Sequence, residues 1–154
     1  DLILLPANGS GNAKSLQVMD DDVPIASAGD RVGIALRNAK EEHLGGGTIL
    51  VHPAVEDKKT NTSIPLAVEL HKRSEVKLTT SPFQKRILAV GDVVHASVDL
   101  QFVVGRVQSI DSEVIEIEWE SPLFIRRNHP EPIVLSQLDS KPRIMGSATL
   151  SMIE

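Results

Sequence analysis

The sequence lacks cysteine and tyrosine and contains few aromatic side chains of any kind. Its 154 residues include three phenylalanines and one tryptophan, at positions Phe83, Phe102, Phe124 and Trp119. The absence of cysteine excludes disulfides and thiolate metal sites. A core with so few rings must consist mainly of Val, Ile and Leu. A stacking platform for single-stranded bases, which needs several exposed rings, is not expected.

Long apolar runs and a strong charge of either sign are also missing. No apolar run reaches the roughly 18 residues that a membrane span needs, and no signal peptide is visible. We therefore expect a cytoplasmic protein without a membrane partner. The formal net charge of −5 gives no electrostatic reason for general nucleic-acid binding. Because the sequence opens on Asp1 and enters an apolar stretch at once, we expect it to be a piece of a longer protein.

Apolar residues nowhere recur at helical spacing over three turns, and the dominant period is two, which is typical of half-buried strands. The alternation is clearest in residues 113–120, where Ile115, Ile117 and Trp119 share one face and three glutamates share the other. Regularly spaced short strands indicate an all-β barrel or sandwich. The other predicted strands are 31–37 with Val32, Ile34 and Leu36 inward, 64–71 with Leu66, Val68 and Leu70 inward, 93–107 with a bend or bulge at Gly105, 133–138, and 143–152.

Residues 53–63 interrupt this pattern, because they are polar and have no apolar period. A linker is the simplest interpretation. It separates a first domain, residues 1–52, from a second domain, residues 64–154. The second is long enough to close its own barrel. The first offers three or four strands and a marginal core, so we expect a truncated barrel whose missing strands precede Asp1.

The glycine-containing stretch "PANGSGNAKS", residues 6–15, raises the question of a phosphate-binding loop. A P-loop requires glycine immediately before the lysine and another glycine five residues earlier, with a helix starting at the Lys-Ser pair. Those two positions hold Ala13 and Asn8, and the residues after Ser15 lack a helical period. We interpret the stretch as a solvated hairpin loop.

No motif for metal binding or catalysis is present. The histidines His43, His52, His71, His95 and His129 do not lie at metal-ligand spacing; His71 and His95 are predicted at outward strand positions, as solvated or bridging groups. The three aspartates at 20–22 lack the spacing of a calcium loop and suit a turn. No Gly-x-Ser-x-Gly elbow occurs. We therefore predict no catalytic residue, no metal and no cofactor in this chain.

Basic residues are more informative, because they form pairs at or near the ends of predicted strands: Lys72 with Arg73, Lys85 with Arg86, and Arg126 with Arg127. Loops at one rim of a closed barrel can bring such pairs together, and a cationic rim would contact phosphates. The alternative, that these residues are scattered solubilising charges, stays open from spacing alone. Further basic residues are Arg106, Lys141 and Arg143.

Residues 16–50 resemble the later half of domain 2 in the elongation factor Tu superfamily. An apolar strand and a polar turn are followed by Ala28-Gly29, then by residues 31–37, "RVGIALR", and residues 47–50, "GTIL". Residues 64–154 resemble domain 3, with the archaeal selenocysteine-specific elongation factor branch as the nearest pattern. The matching runs are "SPFQKRILAVGDVVHASVDLQFVVGRV" and "PLFIRRNHPEPIVLSQLDSKPRIMGSATL". The latter run ends on Arg143, Gly146 and Ala148, where the family has Arg-x-x-Gly-x-Gly.

The resemblance implies two small β-barrels, of domain 2 and domain 3 type, and a non-catalytic fragment of a translation elongation factor-like GTPase. Such a fragment would bind tRNA or aminoacyl-tRNA through its barrel rims and would meet the ribosome through the parent protein. The guanine-nucleotide domain would lie before Asp1, so this chain is expected neither to bind nor to hydrolyse GTP. The alternative is a divergent β-barrel interaction or regulatory module that no longer binds tRNA.

The resemblance also implies two sets of binding residues. Duplex RNA is read through its shape, phosphates and 2′-hydroxyls, and the predicted contacts to the tRNA backbone are Lys72, Arg73, Lys85, Arg86, Arg126, Arg127 and Arg143. The predicted pocket for the tRNA 3′ end contains Arg37, Glu42 and His43. In the family pattern a glutamate that packs on the terminal adenosine falls at His43, and an arginine falls at Gly46.

Overall fold

The computed structural model describes residues 1–128 and 130–151. These residues form thirteen strands and one short 3-10 helix, and the predicted all-β class is confirmed. None of their helices is long and apolar enough to cross a membrane. The strands are β1 (Leu2–Leu5), β2 (Gly9–Val18), β3 (Asp21–Val23), β4 (Val32–Arg37), β5 (Ile49–Val51), β6 (Val55–Asp57), β7 (Thr62–Ile64), β8 (Val68–Thr80), β9 (Val93–Val98), β10 (Gln101–Asp111), β11 (Val114–Arg126), β12 (Ile133–Ser136) and β13 (Ile144–Leu150); the 3-10 helix is Glu41–His43.

The chain divides into two compact units, Asp1–Ala67 and a second that begins at Val68. In the first unit, β3, β2, β1 and β5 pair in that order, and β4 also pairs with β2. The sheet is open and has five strands, one more than the sequence suggested. The segment predicted as a linker, residues 53–63, contains β6 and most of β7, which pair as a separate hairpin. The domain boundaries at 52 and 64 stay predictions.

The first hairpin shows what the stretch at residues 6–15 does. Leu4 on β1 lies opposite Gly9 on β2, so the turn consists of residues 6–8. Asn8 occupies the left-handed region, with φ of 53°. The loop predicted through Ser15 is therefore too long, because Lys14 and Ser15 belong to β2. No helix follows the Lys-Ser pair, and the P-loop interpretation is excluded.

The second unit is a closed six-stranded barrel in the order β10-β11-β8-β13-β12-β9. Closure buries one face of each strand, and the interior is aliphatic, with Val76, Val94 and Leu135 fully buried. The predicted alternation along β11 is confirmed, since Ile115, Ile117 and Trp119 all lie inside.

Alternation fails at two predicted inward residues. Ile34 on β4 is 39% exposed, since the open sheet of the first unit does not close over this position. Leu70 on β8 is 49% exposed. The pairing of β8 with β11 is irregular between Glu118 and Leu123, and such a bulge changes which face a residue occupies. Leu66 lies between β7 and β8 and is half-buried.

The strand predicted over 93–107 is also wrong, because the chain reverses at Asp99 and Leu100 to form the hairpin of β9 and β10. Gly105 is neither a bend nor a bulge. It lies beneath the Trp119 ring, and a Cβ atom at this position would come within 2.4 Å of that ring. Glycine is required here by close packing. Of the strand predicted over 143–152, Met152 lies outside the described residues.

Candidate nucleic-acid interface

The antiparallel order of the strands gives the barrel of the second unit two ends. What we call the upper end consists of residues 81–92, the β10–β11 turn at Ser112 and Glu113, and residues 137–143. The lower end consists of the start of β8, the β9–β10 turn at residues 99–100, and the end of β11. The predicted basic pairs are divided between these ends and the wall of the barrel.

At the upper end, Gln84 joins two loops that are far apart in sequence. Its amide nitrogen donates to the carbonyl of Pro142 at 2.7 Å and to that of Ile144 at 3.2 Å. Its amide oxygen accepts a hydrogen bond of 2.9 Å from the backbone N–H of Arg86. A single side chain therefore orders the segment that carries Lys85 and Arg86 and attaches it to the backbone on both sides of Arg143.

The result is a cluster that we call the cationic patch: Lys85, Arg86, Lys141 and Arg143. Lys85, Lys141 and Arg143 are exposed and form no ion pair with any described residue. Arg86 lies 3.1 Å from a carboxylate oxygen of Asp139 and 3.6 Å from one of Asp92. Its hydrogen bond and charge hold the pKa of Asp139 below its ordinary value. Within the patch, these two carboxylates both pair with Arg86 and leave the other three cations without an ion pair among the described residues.

The other predicted backbone-contact residues do not join this patch. Arg73, on the outer wall, pairs with Glu116 at 3.1 Å and Glu118 at 3.7 Å. Arg126 lies at the lower end, and its guanidinium pairs with Asp99 at 3.0 Å and Glu131 at 2.9 Å. Arg127 pairs with Glu69. Lys72 is exposed on β8 beside Arg73. The structure therefore unites Lys85, Arg86 and Arg143 and separates them from Lys72, Arg73, Arg126 and Arg127.

A groove of about 420 Å³ adjoins the cationic patch. Lys77, Lys85 and Arg86 line it together with apolar residues that include Leu88 and Met145. Lys77 donates to Glu113 across 2.8 Å, which raises the pKa of the lysine and lowers that of the glutamate. The exposed apolar side chains Phe83, Ile87 and Val90 belong to the same loop, and Ile87 is 88% exposed. Sequence periodicity could not identify this groove, because the loop has none.

The predicted 3′-end residues lie in the first unit. Arg37 ends β4 and is exposed, while Glu42 and His43 belong to the 3-10 helix. The His43 ring fills the space above Gly9, where an added Cβ would lie 2.2 Å from its Nδ1 atom. Its Nε2 atom is 3.7 Å from a carboxylate oxygen of Glu42. Glu42 and His43 are thus adjacent, and the assignment of all three residues to a 3′-end pocket stays a prediction.

Two histidines predicted to be solvated or bridging have closer neighbours than expected. His71 is half-buried, with its Nε2 atom 3.5 Å from Glu69. His95 is half-buried and stacks on Phe102, with ring centroids 5.1 Å apart and planes inclined by 21°. Sequence spacing does not predict this pair, because it depends on the register between β9 and β10. His129 lies outside the described residues, and no group of three or more metal-binding side chains occurs within them.

No protein-family model matches the sequence. An uncharacterised protein of Methanocaldococcus jannaschii is 25% identical over 150 residues, covering 97% of this chain and 44% of that protein. The selenocysteine-specific elongation factor of the same organism is 28% identical over 115 residues, covering 75% of this chain and 24% of the factor. Elongation factor 1-alpha of Cenarchaeum symbiosum is 22% identical over 125 residues, covering 81% of this chain and 27% of that factor. The chain spans less than half the length of these relatives.

Solved structures show the same likeness at the level of the fold. Translation elongation factor SelB from Methanococcus maripaludis, in complex with the GTP analogue GppNHp, has a TM-score of 0.72 and 22% identity, and it covers 99% of this chain and 36% of the SelB chain. The resemblance to the elongation factor Tu superfamily is thus confirmed, with an archaeal selenocysteine-specific elongation factor among the relatives of this chain.

Proposed function

We propose that this chain is the non-catalytic, RNA-binding part of a cytoplasmic translation elongation factor-like GTPase. In this proposal it binds the backbone of tRNA or aminoacyl-tRNA through the cationic patch. The observation that carries the proposal is the arrangement made by Gln84, which holds Lys85 and Arg86 beside Lys141 and Arg143.

The chemistry of the patch supports phosphate binding. Three of its four cations form no ion pair with the described residues, so they can approach phosphates without first breaking an internal pair. Cations on neighbouring loops can follow an A-form backbone, which is recognised through its shape, phosphates and 2′-hydroxyls. Binding of this kind needs no cofactor.

The remaining partners follow from the relatives and belong to the same proposal. Arg37, Glu42 and His43 of the first unit would lie near the aminoacylated 3′ end. A GTPase domain and the ribosome would act through the parent protein. The chain covers 24% of the selenocysteine-specific factor, so the contacts with these partners would involve the parent protein as well as this chain.

A titration of fluorescently labelled tRNA at several salt concentrations tests the proposal. Each phosphate contact should add roughly 0.7–0.9 to the slope of log affinity against log salt. The double variant Lys85→Glu, Lys141→Glu should weaken binding and flatten this slope. Lys58→Glu, Lys59→Glu, which reverses two exposed lysines between β6 and β7, is the control with the same change in charge and should alter both much less. Binding that is absent, or that does not depend on salt, would refute the proposal.

A second candidate function is a β-barrel interaction module that no longer binds tRNA. The specific observation in its favour is the exposed apolar loop of Phe83, Ile87 and Val90 beside the 420 Å³ groove. Contiguous exposed apolar surface commonly marks a protein-binding site. The tRNA titration separates the candidates, since this module predicts no tRNA binding by the wild type.

A further inference from the structure

We infer that the His95–Phe102 pair is a binding site for an unpaired nucleobase of RNA. The inference rests on the proposed function, because it identifies a second contact for the same ligand. It goes beyond that function, because the cationic patch reads only the backbone, whereas this site takes a base.

The sheet register builds the pair on the outer wall of the barrel. His95 lies opposite Val104, and Phe102 lies opposite Ser97, so the two rings occupy diagonal positions on neighbouring strands. Aromatic side chains can reach each other across such a diagonal. The planes are inclined by 21°, and the centroids are 5.1 Å apart, which is an offset stack.

Among the described residues, this pair combines an exposed phenylalanine ring with a stacking partner. Trp119 and Phe124 are buried, but Phe102 is 58% exposed. No hydrogen bond holds the His95 imidazole among the described residues, and its Nδ1 atom is shielded without a partner. Stacking against Phe102 is therefore the contact that orients it. Because Phe102 is exposed, a ligand ring could stack on it and become the third ring of the stack.

The surroundings connect this pair to the cationic patch. A depression of about 350 Å³ adjoins His95 and is lined by Val93, Leu138 and Arg86 of the patch, together with Asp92 and Asp139, the two carboxylates that pair with Arg86. Along β9, the four steps between Val93 and Ser97 span about 13 Å. An RNA strand whose phosphate lies against Arg86 can therefore place a nearby base on Phe102.

These features favour an unpaired base over other ligands. A base offers a flat π surface that stacks on aromatic side chains without regard to sequence. Bases inside an A-form duplex are already stacked, whereas loops, bulges and ends present bases that can be splayed out. The site would thus add a preference for single-stranded segments to a chain that otherwise contacts RNA phosphates.

The experiment uses a short single-stranded RNA that carries one 2-aminopurine, whose fluorescence is quenched on stacking, and a blunt RNA duplex without unpaired bases. Phe102→Ala should weaken binding of the single strand by about 5- to 150-fold and leave the duplex nearly unchanged. Phe102→Leu keeps an apolar side chain but should lose the quenching. Phe102→Trp should retain it. Phe83→Leu, at an exposed ring of the upper loop, is the matched control and should not affect quenching.

The outcomes separate this inference from the proposed function. If the duplex binds and single-strand binding does not respond to Phe102→Ala, the inference is wrong and the cationic patch stands. Full retention of single-strand binding and quenching by Phe102→Leu would overturn the inference too, because it would indicate general apolar contact. A wild-type chain that binds the duplex but not the single strand would also overturn it, and failure to bind either RNA would refute both proposals.

Discussion

The indole Nε1 of Trp119 donates a hydrogen bond of 2.9 Å to the hydroxyl of Ser74 inside the barrel of the second unit. Both residues are buried, and they belong to the paired strands β11 and β8. This bond satisfies the polar atom of the one tryptophan in the sequence. A buried donor without a partner is costly, so the two residues depend on each other.

Ser74→Ala should therefore destabilise the second unit by about 1–3 kcal/mol, because the indole N–H loses its acceptor while buried. Urea unfolding followed by far-ultraviolet circular dichroism measures this change with or without the tryptophan. In a Trp119→Phe background the same serine substitution should cost much less. Equal costs in both backgrounds would show that the hydrogen bond is not what makes Ser74 important.

Gly105→Ala should also destabilise the barrel, by about 1–3 kcal/mol, as expected when a packed core receives an additional carbon. The new Cβ would lie 2.4 Å from the Trp119 ring and 2.7 Å from Ile117. Thermal unfolding measures the loss. In a Trp119→Leu background, Gly105→Ala should cost less stability than it does in the wild type, because the indole ring is no longer there. A neutral Gly105→Ala would contradict the packing described here.

Gln84→Ala should weaken tRNA binding while leaving the barrel folded. Each hydrogen bond that Gln84 contributes is worth about 0.5–1.5 kcal/mol net, so the loss of one should lower affinity by about two- to tenfold if the patch needs both loops in place. Gln108→Ala, which removes a hydrogen bond to Glu118 on the barrel wall, is the control. Equal effects of both variants in a tRNA titration would count against Gln84 as an organiser of the patch.

The pair of Lys77 and Glu113 should make stability depend on pH at both extremes. The pKa of Glu113 is lowered by the hydrogen bond and charge of Lys77, so its stabilising contribution is present above its ordinary value of 4.5 and is lost as pH falls through the lower folded value. The pKa of Lys77 is raised, so its contribution is present below 10.5 and is lost as pH rises through the higher folded value.

Because both groups are exposed, the effect of this pair should be small. Glu113→Gln should remove it, and the variant and the wild type should then converge in stability at low pH. Chemical unfolding at a series of pH values measures the difference. A gap between them that widens on acidification would contradict the assigned direction.

Alternation predicted β11 correctly because a closed barrel buries one face of each strand. Ile115, Ile117 and Trp119 share that face and are all buried. The same rule failed where closure or regular pairing is absent. Ile34 lies in an open sheet, and Leu70 lies beside the irregular pairing of β8 with β11. Neither condition is visible in a local pattern, because both depend on which strands pair.

The candidate interface was harder to predict from the sequence than the strands, because it depends on contacts between distant parts of the chain. Sequence spacing identified Lys85, Arg86 and Arg143 as basic residues but could not say which pairs meet. Their proximity follows from Gln84, whose acceptors lie 58 and 60 positions further along the chain. Arg73 and Arg126 looked equivalent to them in sequence. They differ in position, since Arg73 lies on the barrel wall and Arg126 at the lower end, and both are paired with carboxylates, whereas Lys85 and Arg143 pair with no described residue.

Amide hydrogen exchange with and without tRNA tests the location of the interface most directly. We expect tRNA to slow exchange in residues 81–92 and 137–143, the two loops that carry the cationic patch. Exchange at the start of β8, at the lower end of the barrel, should stay unchanged. Protection confined to the lower end, with none in these two loops, would contradict the assignment of the interface to the upper end.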